Sequence, residues 1–517
     1  MRVFSHFLRF LTLTAAIFTA AVGFGQSLSS IQGQVTDPSG AAVPGATVTV
    51  TNTATGVSQT IKTDSSGNYL IPALPIGNYD VTVQSSGLEK VLSHGVIVQV
   101  GRNTVQNFQL KVAQASETVT VSAEAPVIEA STQTVGQVIN QKTVQEIPLN
   151  GRHFLDLGLL VPGSVVPPAN GFLTAPLRGQ GSFGLNTAGN REDENNIMVN
   201  GINLNDMANG QLTFQPSINT VSEFKIDNSS YSADEGRNSG SIVQIATRSG
   251  TNTFHGEAFD FVRNDFFDAR NWFNKKTTST GAANPMSPFK RNNFGANLGG
   301  PIWKNKTFFF FSYEGLRQRQ ALPLSTTVLS STEAQAAAAS SDPTTRKLAA
   351  LIPAANNGAN GFLGSTVAPV NIDQWTGDVQ HNFSDSDRLH GYYAFQKDLR
   401  KEPTLQGNNL PGFGDTRASH RQIFTFNETH MFSPAVVNDF RAGYNRIHIT
   451  FVADNADDPA SFGFNVGNSG PIGLPQILIS GTGLRFGGIN GFPQGRGDLT
   501  TVYSDTLSWL KGKHSFK

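Results

Sequence analysis

The chain has 517 residues, with Lys plus Arg at 38 against Asp plus Glu at 38 and only 15% of its residues charged; that length suits about three domains. The zero net charge excludes a nucleic-acid reader driven by counter-ion release, which needs a basic surface. Cysteine is absent while phenylalanine stands at 37, so disulfides, cysteine-ligated zinc, iron–sulfur clusters and cysteine nucleophiles are excluded, and many rings must be buried or anchored without a long apolar helix.

Arg2 and Arg9 flank a short basic start, Phe10 to Val22 is an uncharged apolar run, and Gly23-Phe24-Gly25-Gln26 supplies small residues for cleavage. Residues 1–25 therefore read as a secretory signal peptide cut before Gln26, and without a cysteine at that point a lipoprotein is excluded. The run of 13 residues is too short for a bilayer core that needs about 20. No later stretch reaches 18 apolar residues in a row. The mature chain is then either soluble outside the cytoplasm or enters a membrane as β-strands.

Residues 26–112 alternate apolar and polar residues in short runs such as Thr47-Val48-Thr49-Val50-Thr51 and Tyr79-Asp80-Val81-Thr82-Val83, separated by turn clusters such as Asp37-Pro38-Ser39-Gly40 and Asp64-Ser65-Ser66-Gly67-Asn68. Period two with frequent turns predicts an antiparallel sandwich of about seven strands. The strings "GQVTDPSGAAVPGATVTV" and "TDSSGNYLIPALPIGNYDVTV" resemble the carboxypeptidase regulatory-like domain, a transthyretin-like sandwich. The resemblance confers no peptidase activity, because the zinc site of metallocarboxypeptidases lies in another domain. None of the ten histidines starts an H-x-x-E or H-E-x-x-H pattern, so no metal ligands, cofactor or catalytic residues are expected.

Residues 113–126 read as a linker around Glu117-Thr118-Val119-Thr120-Val121-Ser122-Ala123, which is strand-prone and stopped by Glu124-Ala125-Pro126. The segment resembles the TonB box of outer-membrane active transporters. Such a box must be extended, exposed and unpaired, so that the sheet of another protein can add it as an edge strand.

Residues 127–247 read as one mixed α+β domain, with a strand at Val135 to Ile139 and a short helix from Asn140 closed by Pro148. "LNGRHFLDLGLLVPG", "NNIMVNGINLND" and "SEFKIDNSSYSADEGRNSGSIVQIATRSGTN" resemble the plug of TonB-dependent receptors of the Oar-like type. The motif residues are Asn150, Gly151 and Arg152, with Asn200 and Gly201 as a hairpin turn needing positive φ. Three short strings carry no site. Gly179 to Gly184 fits G-x-G-x-x-G without a preceding strand, Arg191-Glu192-Asp193-Glu194 suits a solvated loop, and Arg496-Gly497-Asp498 is a short match in a glycine-rich loop.

From residue 248 to 517 the runs lengthen to about 9–13 residues, as tilted membrane strands require. Phe294, Ala296 and Leu298 alternate with Asn293, Gly295 and Asn297, and Trp375, Gly377 and Val379 alternate with Thr376, Asp378 and Gln380. Phe308 to Phe311 with Tyr313 suggests an aromatic girdle, and the wet face reads as polar but almost charge-free. Long polar stretches at Gln320 to Asn371 and Ala453 to Asp498 contrast with short turns elsewhere, the asymmetry of an outer-membrane barrel. About eight strands can be counted, whereas barrels that hold a plug have about 22; the expectation is an all-β-dominated chain, with sandwich, α+β plug and the first part of a transmembrane antiparallel barrel, apparently truncated.

The resemblance implies energised uptake of a large or scarce ligand across the outer membrane, with TonB pairing at Glu117 to Ala123 and drawing on ExbB and ExbD. Outer-membrane lipid is the other implied partner. Polysaccharide fragments, peptides and iron chelates all remain open as ligands. The competing reading is a secreted or surface β-rich adhesion or carbohydrate-binding protein, with the sandwich as its working module.

Overall fold

The computed structural model describes residues 29–112, 118–122, 134–165, 185–206, 210, 212–231, 238–270, 286–404, 407–433, 435–455, 457–465, 473–488, 494–511 and 514–517. The expected signal peptide, Glu117, Ala123 and the glycine string at 179–184 lie outside them.

The N-terminal unit is built from β1 (Ser30–Thr36), β2 (Thr47–Asn52), β3 (Ser58–Lys62), β4 (Asn68–Ile71), β5 (Gly77–Gln84), β6 (Lys90–Val98), β7 (Asn103–Val105) and β8 (Phe108–Gln109). One sheet runs β4-β1-β7 with β8 also on β1, and the other runs β3-β2-β5-β6. Period two decides which side is buried: Val48, Val50, Val81 and Val83 are at most 1% exposed, while Thr49 and Thr51 point out and share hydrogen bonds with Thr60 and Ser58. Asp64 accepts from the backbone N–H of Ser66 and Asn68, both at 2.8 Å, folding the turn into β4. Gly67 follows at φ 72°, where a Cβ would lie 2.5 Å from the Val35 carbonyl oxygen. The strands number eight among the described residues, against about seven expected, because a short strand β7 forms just before β8.

One further strand, β9 (Thr118–Ser122), lies parallel to β6, with Lys90 opposite Thr118 and His94 opposite Ser122. This corrects the expectation of an unpaired segment. A strand-prone stretch takes the nearest open edge, and β6 has one because its other edge is filled by β5.

The second unit begins with β10 (Val135–Ile139) and helix α1 (Gln141–Glu146), where Asn140 caps the helix by accepting from the Thr143 N–H at 2.9 Å. A 3₁₀ turn at Phe154–Leu160, the pair β11 (Ser164–Val165) and β12 (Asn186–Thr187), then β13 (Asn196–Val199), β14 (Ile202–Asn203), β15 (Val221–Ser229) and β16 (Ile242–Thr247) complete it. Its sheet runs β10-β15-β16-β13-β14. β15 and β16 are buried on both faces, β15 although its sequence alternates Phe224 and Ile226 with Glu223, Lys225 and Asp227, whose side chains are buried as well. Phe154 meets Phe224 edge-on at 5.3 Å in a core that continues into Tyr392, Ala394 and Ile423 of the next unit.

That next unit is a nine-stranded antiparallel sheet in chain order, formed by β17 (His255–Asn264), β18 (Phe289–Trp303), β19 (Thr307–Thr327), β20 (Gly361–Asn382), β21 (Asp387–Glu402), β22 (Asp415–Ser433), β23 (Val436–Ala453), β26 (Gln494–Lys511) and β27 (His514–Phe516). Helices α2 (Ser331–Ala338) and α3 (Pro343–Ala349) and the small pair β24 (Ile477–Ile479) and β25 (Leu484–Phe486) sit in its long connections. The sheet does not close among the described residues.

The sheet departs from the expected pattern in four ways. The strands number nine rather than eight, and they reach 22 residues in β20 because they extend past the membrane band into the loops. The polar stretch from Gln320 is not all loop: β19 continues to Thr327, where Pro323 pairs with Ser365 of β20. Arg496-Gly497-Asp498 lies within β26, not in a loop. Of the four phenylalanines 308–311, Phe308 and Phe310 turn inward and are at most 1% exposed, so only alternate rings face out.

Candidate functional site

The outward face of the nine-stranded sheet carries two belts of rings. Tyr313, Trp375 and Phe395 form one rank across β19, β20 and β21 by register, with ring separations of 5.5 and 5.7 Å, and Phe294 joins Tyr313 at 6.2 Å. At the short-turn end, Phe383, Phe432, Trp509 and Phe516 are exposed. Gly377, Val379 and Gly391 lie between the belts. From Trp375 to Phe383 a strand advances roughly 26 Å along its axis, which after tilting matches an apolar band of about 25 Å between aromatic girdles.

The inward face is polar and, contrary to expectation, charged. Arg421 Nε lies 3.0 Å from Asp398, Arg417 Nε 2.8 Å from Asp415, and Arg400 pairs with Glu402; each of these six side chains is at most 5% exposed. Most of these pairs join residues two apart on one strand face, or neighbouring strands, so their charges cancel locally and overall charge counts miss them.

The α+β unit sits against this face. Arg421 donates to the Thr213 carbonyl, Thr213 Oγ1 donates to Asn445 at 2.6 Å, Gln374 Nε2 to the Gln215 carbonyl at 2.9 Å, and Thr247 Oγ1 to Asp378 at 3.2 Å. Arg496 bridges to Asp206 at 2.6 Å. These hydrogen bonds and ion pairs surround a small apolar contact in which Tyr392, Ala394 and Ile423 of the wall join the core of the α+β unit.

The sequence motif residues fall on this seam. Arg152, at φ 59°, donates to Asn219 at 2.9 Å, lies 3.6 Å from Glu314, and stacks over Phe259 and Phe261 of β17 at 4.8 and 4.1 Å. Gly151 precedes it at φ 102°. Asn150 Oδ1 accepts from Arg263 and Arg291 at 3.1 and 3.2 Å. Asn200 and Gly201, at φ 46° and 92°, turn β13 into β14 with the positive φ that such a hairpin requires. Burial, reinforced by the Arg291 guanidinium, holds His153 at about 3. Arg191 pairs loosely with Asp193 and Glu194 and is 68% exposed, as a solvated loop would be.

The sandwich docks at the short-turn end. Asn252 donates to the Thr55 carbonyl, and also to Asn305 in the β18–β19 turn, while Arg388 of β21 donates to the Ala73 carbonyl. Lys225 Nζ donates to the Gly101 carbonyl at 2.9 Å, and the Val100 N–H donates to the Glu223 carboxylate. A cavity of about 740 Å³ remains between the three units, lined by Tyr79, Thr247, His390, Asp439 and Arg441 among others. No motif in the sequence signals this docking surface, because single residues scattered from Thr55 to Arg388 build it.

Glu223 is the titratable element of that contact. Burial pushes its carboxyl up to about 7, against the opposing pull of the Val100 N–H and the Arg102 charge. A carboxyl raised in this way prefers its proton when docked, so docking is strongest below the ordinary carboxylate value near 4.5 and weakens as pH rises through the window up to about 7. Glu223→Gln keeps an acceptor for Val100 and removes the charge. It is expected to make the contact insensitive over that window and stronger at pH 8 by about 2–3 kcal/mol, read as protease resistance of residues 99–102; an unchanged pH profile counts against it.

Asp387, Glu428 and His430 bring ligand atoms within 4.8 Å of one another. They lie at the short-turn rim, and His430 Nδ1 already engages Asp387; the group carries no metal assignment.

Residues 246–517, more than half of the sequence, match the family described as "Outer membrane beta barrel domain". The chain belongs to this family. Its location is accordingly the outer membrane. Residues 30–111 match the carboxypeptidase regulatory-like domain. The chain is 28% identical over 312 residues to the TonB-dependent transporter Oar of Myxococcus xanthus, a match covering 58% of this chain and 28% of that protein. It is similar in structure to the outer membrane transporter YddB of Escherichia coli (TM-score 0.48, 10% identity, 73% of this chain and 45% of that one). It is also similar to the siderophore receptor PirA of Acinetobacter baumannii (TM-score 0.43, 15% identity, 73% and 46%). The chain thus spans under half the length of each of these relatives. By their names these are a TonB-dependent transporter, an outer membrane transporter and a siderophore receptor.

Proposed function

We propose that the chain acts in TonB-dependent uptake at the outer membrane, with residues 127–247 as the plug, 248–517 as barrel wall, 26–112 as an accessory sandwich, and 113–126 as the linker carrying the TonB box at 117–123. The observation that carries this reading is one of placement. The α+β unit is held to the inner face of the wall by hydrogen bonds and ion pairs around a small shared apolar core, and the extended strand β9 lies with the sandwich at the short-turn end, where the periplasm would be. TonB, energised through ExbB and ExbD, would take β9 by strand addition and pull on the plug. The long connections at the other end would receive the ligand, with carbohydrate, peptide and chelate all compatible with their polar composition. The lipid-facing belts favour this over a secreted adhesin.

The test is capture of the isolated C-terminal domain of TonB by the detergent-solubilised protein, with a synthetic peptide of residues 117–123 as competitor. Saturable capture that the peptide abolishes is expected. Capture that ignores the peptide removes the box from the account.

A further inference from the structure

We propose that Lys397, His420, Arg446 and His448 form a docking surface for the phosphate groups of an outer-leaflet glycolipid. The inference rests on the wall reading and is independent of energy coupling. By register Lys397 of β21 lies opposite His420 of β22, and His420 opposite His448 of β23, so the three form one rank across adjacent strands. Arg446 is two residues from His448 on the same face. Strand spacing makes the patch about 10 Å wide and 7 Å high, the dimensions of a single phosphorylated headgroup. All four residues are exposed on the outward face.

Two contrasts point to a missing anion. The buried arginines of the inward face, Arg400, Arg417 and Arg421, each have a carboxylate partner, whereas Lys397 and Arg446 have none among the described residues. The carboxylate opposite Lys397, Asp373, is occupied by Arg317 at 2.6 Å and by the Tyr313 hydroxyl at 2.7 Å. At the other rim, the outward face carries the acids Asp387, Glu428 and Asp505 instead.

Position selects the partner. Arg446 shares its rank with Phe395 through Gln422, and the other three lie one rank further toward the long loops. The patch therefore stands at the outer edge of the aromatic girdle, where headgroups meet the protein. A guanidinium and an ammonium flanked by imidazoles match a phosphate monoester rather than a zwitterionic headgroup. A soluble ligand would have to approach along the membrane surface, whereas a lipid is already there.

The experiment uses the protein purified in detergent from its own outer membrane, titrated with bis-phosphorylated lipid A, with the same lipid after dephosphorylation, and with inorganic phosphate. Phosphorylated lipid should bind and the dephosphorylated form should not. K397Q/R446Q should weaken binding roughly thirtyfold, at about fivefold per cation, while the folded, heat-modifiable band persists. Equal binding of both lipids would overturn the proposal by reducing the surface to ordinary lipid contact. Inorganic phosphate displacing the lipid at low millimolar concentration would instead make it a free-anion site. The comparison of the two lipids needs no variant, so the proposal stays testable if K397Q/R446Q fails to fold.

Discussion

Val119→Pro is expected to lower TonB capture by about a hundredfold or more without altering the fold of the sandwich, the α+β unit or the wall. Strand addition is made of main-chain hydrogen bonds, and proline both removes a donor and restricts the backbone at the second residue of the five-residue strand β9. The same change weakens the pairing of β9 with β6, where Val119 stands opposite Val91. If that pairing only shielded the segment, the variant would bind TonB better, so the direction of the effect separates the two roles. Val119→Thr, which keeps the donor and the strand preference, should behave as the parent does. Normal capture by the proline variant would remove β9 from the coupling mechanism and leave it as a ninth strand of the sandwich.

Arg421→Ala is expected to destabilise the seat of the α+β unit by about 3–5 kcal/mol. Arg421 is fully buried; its Nε donates to Asp398 and to Ser419, both at 3.0 Å, and its Nη1 reaches the Thr213 carbonyl of the α+β unit. Truncation leaves the Asp398 carboxylate buried beside Ser419 and Gln396 with its cation gone, and frees a carbonyl across the seam as well. Replacing both partners, as in R421M/D398L, should recover most of the loss, because two apolar side chains leave no uncompensated charge. Urea titration of the detergent-solubilised protein, followed by protease sensitivity of the α+β unit, gives the comparison. A single variant within about 1 kcal/mol of the parent, the range of an exposed pair, would show that the seam is wet and that the pair does not hold the unit.

Alternation along the chain made much of the fold legible in the sequence, since period two fixes which side of a strand is wet. It located the valines of β2 and β5 and Trp375 of β20 on their observed faces. It failed where one face changes character along a strand. In β19 the segment Ala321-Leu322-Pro323-Leu324 mixes apolar residues on both faces and includes a proline, so it reads as loop although its backbone pairs with β20 throughout. The inward ion pairs were hidden for a different reason. Arg417 and Asp415 are two apart and cancel in any local count, and Asp398 and Arg421 meet only across a strand pair. At the candidate site, the Asn200-Gly201 turn was legible because only a few residue types accept positive φ. The role of Arg152 over Phe259 and Phe261 was not, because more than 100 residues separate them. The pairing of β9 with β6 was likewise invisible, since any strand-prone segment near an open edge carries the same signature.

The central claim is that the nine-stranded sheet is a membrane wall with the α+β unit on its inner face. Absence of cysteine allows single cysteines at each position from Trp375 to Gln380, labelled with a fluorophore and quenched in turn by brominated lipid and by a water-soluble agent. Positions 375, 377 and 379 should be quenched by lipid alone, and positions 376, 378 and 380 should be shielded from lipid and become accessible to the aqueous quencher only when urea releases the α+β unit. Uniform quenching along the six positions, or the opposite alternation, would contradict the wall.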